Sequence, residues 1–120
     1  MPQEPIFISP EYCYRAEILR VVDGDTLDVK LDLGFHVAVV QRLRLTRINA
    51  PEMKTPQGPL AKTALEGLVK GVMECFVLTK RTDVYGRYLA EVWIRQNPPS
   101  ARINLSTEQL RTGNAVVYDK

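Results

Sequence analysis

Alternation of apolar and polar positions dominates the first half of the chain. From Tyr12 to Val22 β-favouring residues are interleaved with polar ones, and "DGDT" then interrupts the run. "TLDVKLDL" follows, with Leu27, Val29, Leu31 and Leu33 on one face and Asp28, Lys30 and Asp32 on the other. That period of two predicts a half-buried strand. Gly34 allows a turn, and "HVAVVQRLRLTRI" predicts a third strand, long enough to need a bend or bulge partway. After "NAPE" the period becomes helical. In "GPLAKTALEGLVKG", Pro59 suits the first helical position and Gly71 a left-handed stop, with Leu60, Ala61, Ala64, Leu65, Leu68 and Val69 as the stripe facing a sheet. "VMECFVLTK" and "RYLAEVWI" predict strands four and five, joined by the polar loop "RTDVYG". "NPPS" breaks the chain again. "STEQ" reads as a capping box, Ser106 with Gln109, opening a short helix that ends at Gly113.

Residues 1–11, with Pro2, Pro5 and Pro10, show no regular period and predict an extended or flexible arm. The remainder, 12–120, predicts a single α+β domain, mainly β. Three strands, a helix, two strands and a closing helix form the element order of a five-stranded OB-fold Greek-key barrel with two packed helices. Element order alone leaves other α+β folds open. A chain of 120 residues with 45% hydrophobic content suits one compact core. No apolar run approaches the roughly 20 residues that span a bilayer, and Met1 is followed by no basic-then-apolar leader. The chain as given is therefore expected to be soluble and cytoplasmic, with secretion after processing left open. Cys13 and Cys75 are expected as buried thiols and not as a disulfide, and one histidine without clustered cysteine pairs excludes a structural zinc site. Net charge +2 is too small to argue nucleic-acid binding from bulk electrostatics, so such an argument must rest on where charges sit.

Two groups of residues carry candidate chemistry. Asp23 and Gly24 read as a hairpin turn, which leaves the second carboxylate, Asp25, starting the next strand and free to point away from it. With the turn from Asn49 to Glu52 nearby, these residues supply hard oxygen donors suited to Ca²⁺ or Mg²⁺. Arg42, Arg44 and Arg47 read either as solvated strand charges or as phosphate ligands; Arg42 and Arg44 share a face by alternation. Arg87 closes the loop before strand five. Guanidinium groups grip two phosphate oxygens at once, a cation shares the developing charge, and a carboxylate such as Glu52 takes a proton from water. Those are the parts for attack on a phosphodiester.

From Tyr14 to about Tyr118 the sequence resembles the staphylococcal nuclease family. The resemblance is carried by "VVDGDTLDV", "RLRLTRINAPE", "DVYGRYLAEVW" and "INLSTEQLRTGNAVVY", in the family's order and spacing. It implies an OB-fold, Ca²⁺-dependent endonuclease that hydrolyses DNA and RNA to 5′-hydroxyl and 3′-phosphate ends, with single-stranded or frayed nucleic acid as partner and a monomeric state. Carried over by residue, it implies Asp25 as a metal-binding aspartate and Ala50 as a carbonyl donor to the metal. Glu52 would be the general base or water positioner, and Arg44 and Arg87 the grip on the scissile phosphate. Asp23 would be an acidic neighbour of the site and Tyr85 a neighbour of the terminal phosphate.

Departures from the family pattern qualify this. Asn49 stands where the well-studied member has a second metal-binding aspartate; an amide oxygen still ligates Ca²⁺, with one formal charge lost. Val84 replaces a lysine of that member. The sequence ends at Lys120, so the family's further C-terminal helix is expected to be missing, which leaves Tyr118 as the aromatic for base stacking at that end. His36 is expected at an exposed rim, Leu89 and Trp93 in packing, Tyr12 and Tyr14 in strand packing. Lys62, Glu66 and Lys70 are expected on the wet face of the first helix. The sequence therefore predicts a metal-dependent nuclease, the alternative being a catalytically weak or inactive OB-fold nucleic-acid-binding module.

Overall fold

In a computed structural model the protein is described over residues 12–82, 87–96 and 101–118. The expected arm at 1–11 and the "NPPS" break lie outside them. Five long strands carry the architecture. They are β1 (Tyr12–Asp23), β2 (Thr26–Asp32), β3 (Ala38–Leu45), β5 (Val72–Thr82) and β6 (Tyr88–Gln96). They pair in the order β3-β2-β1-β5-β6, and parallel pairing of Leu43–Leu45 with Tyr88–Ala90 joins β3 to β6. That pairing closes the sheet into the OB barrel and removes its open edges. Short strands β4 (Ile48–Asn49) and β8 (Val116–Val117) form a separate antiparallel pair, and β7 (Ile103–Asn104) extends the main sheet beyond β6.

The predicted bend in the third strand is real and has a definite place. The chain leaves β3 at Leu45, turns through Thr46 and Arg47, and resumes as β4. Arg47 has φ 73°, a left-handed conformation that a non-glycine residue adopts only when held there. Its guanidinium does the holding. Nε and Nη2 donate to the buried Glu91 carboxylate at 2.5 and 3.1 Å, and Nη2 also reaches Asn104 and Thr107. Arg47 thus clamps the turn to β6 and the second helix.

Period-two burial fills the barrel. Leu27, Val29, Leu31, Leu43, Leu45, Val77, Val92 and Ile94 are buried along it, and Leu65 and Leu105 cap it from the helices. Leu33 lies beyond the end of β2 and is exposed, so the alternation predicted through it stops one pleat early. In β1, register shifts between Ile18 and Arg20 and between Val21 and Asp23 insert extra residues that curl the strand toward its turn.

Helix α1 (Gln57–Val69) begins before the proline expected to open it: Pro59 is its third residue, still within the first turn where a missing N–H costs nothing. Its buried face is Gly58, Ala61 and Leu65, with Ala64, Leu68 and Val69 half-buried, while Leu60 is exposed, rotated about 100° from its neighbour Ala61. Gly71, at φ 72°, supplies the left-handed stop.

Helix α2 (Leu105–Arg111) corrects the capping reading. Its N-cap is Asn104, whose side chain accepts from the Thr107 N–H at 2.9 Å. Ser106 and Gln109 lie inside the helix and are fully buried. At the other end Asn114 N–H donates to the Gln109 carbonyl and Gly113 N–H to that of Leu110, a Schellman closure with Gly113 at φ 78°. Cys75 is buried, which pushes its thiol up to about 12, but Cys13 is exposed, on the opposite face of β1 from half-buried Tyr14. No helix among the described residues is long and apolar enough to cross a membrane.

Candidate functional site

Three chain segments converge at one end of the barrel: the β1–β2 turn, the end of β3 with β4, and the loop before α1. In the first, Asp23 pairs with Thr26 across a two-residue loop of Gly24 and Asp25. Asp25 therefore sits in the turn itself. Its N–H donates to Asp23 Oδ1 at 3.1 Å, which folds the acidic pair over the loop. Gly24 is required for space: a Cβ there would lie 2.7 Å from the Cβ atoms of both Ala50 and Ala61. The turn is wedged between the site loop and α1.

Asp25 is buried, and both its oxygens are engaged. Oδ1 accepts from Thr26 Oγ1 at 3.0 Å, Oδ2 accepts from Ala50 N–H at 2.8 Å, and its own carbonyl accepts from Leu45 N–H. Burial and the neighbouring Asp23 carboxyl push Asp25 up to about 6, against the hydrogen bond from Ala50 and the charge of Arg44. Asp23 is held below the ordinary carboxylate value: burial opposes this, and hydrogen bonds from Asp25 and Thr26 with the Arg44 charge outweigh it. The two acids thus differ in their shifts, Asp23 held toward its charged form and Asp25 moved toward neutrality by burial.

Arg44 pairs with Thr26 on the neighbouring strand β2, which brings its guanidinium over the turn. It is buried, and most of its donors are spent on the protein. Nη1 donates to the Leu45 carbonyl at 2.6 Å and the Ile48 carbonyl at 2.8 Å; Nη2 donates to Asn49 Oδ1 at 3.1 Å and lies 3.5 Å from Asp25 Oδ2. Tyr118 covers the guanidinium, its ring centroid 5.8 Å away. The β4–β8 pairing and a hydrogen bond from Tyr118 N–H to the Arg47 carbonyl fix that ring in place. Arg42, on the same strand face, is not part of this cluster: it is exposed and forks onto Asp28 at 2.8 and 3.2 Å.

Glu52 points to solvent, its side chain 72% exposed with Lys54 Nζ 3.3 Å away. Its backbone is fixed more firmly than its carboxylate. The Glu52 carbonyl accepts from Thr55 N–H and Oγ1, and Gly58 of α1 packs directly beneath it. A Cβ on residue 58 would lie 2.1 Å from the Glu52 carbonyl oxygen and 2.6 Å from Met53 Cα, both backbone atoms that cannot swing aside. Gly58→Ala is therefore expected to cost about 1–3 kcal/mol of stability and to displace Glu52. Urea unfolding together with the Glu52 and Met53 amide shifts checks this; a wild-type midpoint with unmoved shifts would show that the contact relaxes freely.

Asp23, Asp25, Asn49, the Ala50 carbonyl, Arg44 and Tyr118 thus come from segments far apart in sequence but adjacent here. Arg87 is half-buried at the start of β6, and Tyr85 and Val84 lie outside the described residues. Among the described residues no group of three or more His, Cys, Asp or Glu side chains could hold a metal ion. The available donors are carboxylate, amide and carbonyl oxygens, which fit a hard divalent cation in kind, with water completing the set. Sequence reading assigned Ser106 and Gln109 to a helix cap and not to the site, and missed Gly58. The polar pair had a signal in its i, i+3 spacing beside Leu105, which places it on a helix face that turns inward.

A family model described as staphylococcal nuclease homologue matches residues 42–120. The chain is 37% identical over 118 residues to Protein ParB of Escherichia coli, covering 94% of this chain and 63% of that protein. It is 32% identical over 117 residues to an uncharacterized endonuclease of Escherichia coli O157:H7, covering 96% and 69%. With a micrococcal nuclease of Shigella flexneri it shares 33% over 108 residues, 88% and 59% of the two chains. The chain spans only part of these relatives, 59–69% of their length. The match extends from β3 through the Arg44–Glu52 segment to Tyr118, on a barrel of the expected topology, and the chain belongs to the staphylococcal nuclease family.

Proposed function

We propose that this protein is a metal-dependent nuclease that hydrolyses phosphodiester bonds of DNA or RNA and leaves 5′-hydroxyl and 3′-phosphate ends. The single observation that carries the reading is the meeting of the acidic β1–β2 turn, Arg44 and the Asn49–Glu52 segment at one end of an OB barrel, in a member of a nuclease family. Asp25, Asn49 and the Ala50 carbonyl would hold a Ca²⁺ or Mg²⁺ ion, with Asp23 charged beside them. Such a cation supplies Lewis-acid stabilisation of charge on the phosphate oxygens.

The chain's own residues do the rest. Glu52, exposed at the rim, takes a proton from the attacking water as its oxygen bonds to phosphorus. The bond from phosphorus to the 5′ oxygen breaks, and that oxygen leaves as the 5′-hydroxyl after accepting a proton. Arg44 and Arg87 stabilise the phosphate as charge builds on it. Arg44 has Nε–H as its donor without a partner among the described residues, so it contributes chiefly a fixed positive charge with one hydrogen bond.

Asn49 distinguishes this site. Its Oδ1 accepts from Arg44, and the side chain carries no charge to offset the cation. Asn49→Asp is expected to tighten Ca²⁺ by about tenfold, since each added carboxylate strengthens a calcium site. Calorimetric titration checks this, and equal affinity in the two proteins would remove residue 49 from the ligand set.

The engagement of Arg44 with protein acceptors favours a second reading, a module that binds single strands without cutting them. Cleavage of labelled single-stranded DNA and RNA, with Ca²⁺, Mg²⁺ or chelator, separates the two. Cation-dependent cutting supports the nuclease. Salt-sensitive binding without cutting supports the module.

A further inference from the structure

Two polar side chains of α2, Ser106 and Gln109, are fully buried, although a helix closing a barrel gains more from apolar residues there. Each donates to the backbone of a site segment. Gln109 Nε2 reaches the Gly24 carbonyl at 2.8 Å and the Ala61 carbonyl at 3.2 Å, tying the acidic turn to α1. Ser106 Oγ donates to the Thr46 carbonyl at 2.8 Å, at the bend between Arg44 and Asn49. The two contacts come from one rigid helical turn, whose own ends are fixed by the Asn104 cap and the Gly113 closure.

We infer that Ser106 and Gln109 are positioning residues, through which α2 sets the separation between the Asp23–Asp25 turn and the Arg44–Asn49 segment. Two features argue that this is more than packing. Gly24 is wedged against the Ala50 and Ala61 Cβ atoms, and Gln109 holds its carbonyl. The next residue is Asp25, whose carboxylate accepts from Ala50, so a shift at Gly24 passes to both site segments at once. The inference deepens the proposed nuclease reading and rests on it for its catalytic consequence.

The test uses the full chain with Gln109→Met, which keeps bulk and removes the donor. Cleavage of a single-stranded oligonucleotide with Ca²⁺ is expected to show kcat lowered by about tenfold to a hundredfold with KM changed less than about twofold. A second readout needs neither cation nor cutting. Hydrogen exchange of the Ala50 amide, the donor to Asp25, should quicken by a larger factor than exchange at the core amides of Val77 and Val92, which report global opening. Equal factors at all three amides, with wild-type kcat, would overturn the inference and leave Gln109 a structural residue. If the wild-type chain cuts nothing, the nuclease reading fails, and the exchange comparison alone decides the positioning role. Should Gln109→Met fail to fold, Ser106→Ala removes only the bond to Thr46, and the same two criteria apply to it.

Discussion

Arg44→Ala is expected to lower stability by about 3–5 kcal/mol, the cost of breaking a buried ion pair by removing one partner. Side-chain exposures of 7% for Arg44 and 9% for Asp25 place the pair away from solvent screening. Alanine leaves the Leu45 and Ile48 carbonyls without their donor and Asp25 without its cation, inside a segment where water has little access. Arg44→Lys should recover part of this and no more, because one ammonium cannot reach both carbonyls, Asn49 and Asp25 from a single point. Urea unfolding near pH 7 reads the difference directly. With a slope of about 1–2 kcal/mol/M for a chain of this size, the alanine midpoint should fall by roughly 2 M or more. A fall of only a few tenths would mean that the carbonyls find other partners and that Arg44 faces solvent. Under conditions where both are folded, cleavage should be lost in the alanine variant and lowered in the lysine variant, which keeps the charge without the guanidinium fork.

The second large effect is confined to chemistry. Glu52→Gln changes no volume, and the side chain it replaces is exposed with one surface partner, Lys54. Stability should therefore move by less than about 0.5 kcal/mol. Loss of a general base costs about 10²–10⁴ in rate, so cutting of single-stranded DNA and RNA should fall by that factor while binding persists. Arg87→Ala serves as the matched control on the phosphate side. Unchanged cutting by Glu52→Gln would assign the proton to another group and leave the barrel's acidic turn as the place to search. The contrast with Arg44 is physical: one residue is knitted into the fold and the other only held by its backbone, so stability and activity should separate in one variant and fall together in the other.

Gly58 and Gly24 sit where this end of the barrel has no room for a larger side chain. Gly58 lets its backbone approach that of Glu52 and Met53, and Gly24 leaves room for the Ala50 and Ala61 Cβ atoms. Neither function is conformational, since neither has a left-handed φ. The site is built by close contact among segments, and the helices are its abutments.

Much of this protein was legible in one dimension. Period-two alternation predicted β2 and most of β3, the switch after "NAPE" predicted α1, and Gly71 and Gly113 marked both helix ends, because these features depend on near neighbours in the chain. The segments that meet at the candidate site stood out in sequence as well, since turn chemistry and residue type are local. What only tertiary structure decided is who partners whom. Arg42, Arg44 and Arg47 look alike in "RLRLTR", yet one forks onto Asp28 at the surface, one is buried over Asp25, and one clamps a left-handed turn to Glu91. Ser106 and Gln109 fit a capping box as written, and became cross-braces because Asn104 took the cap and turned them inward. Local sequence sets a residue's backbone preference and its chemistry. The partners that set these roles lie 14 to 85 positions away, and closing the barrel is what brings them within reach.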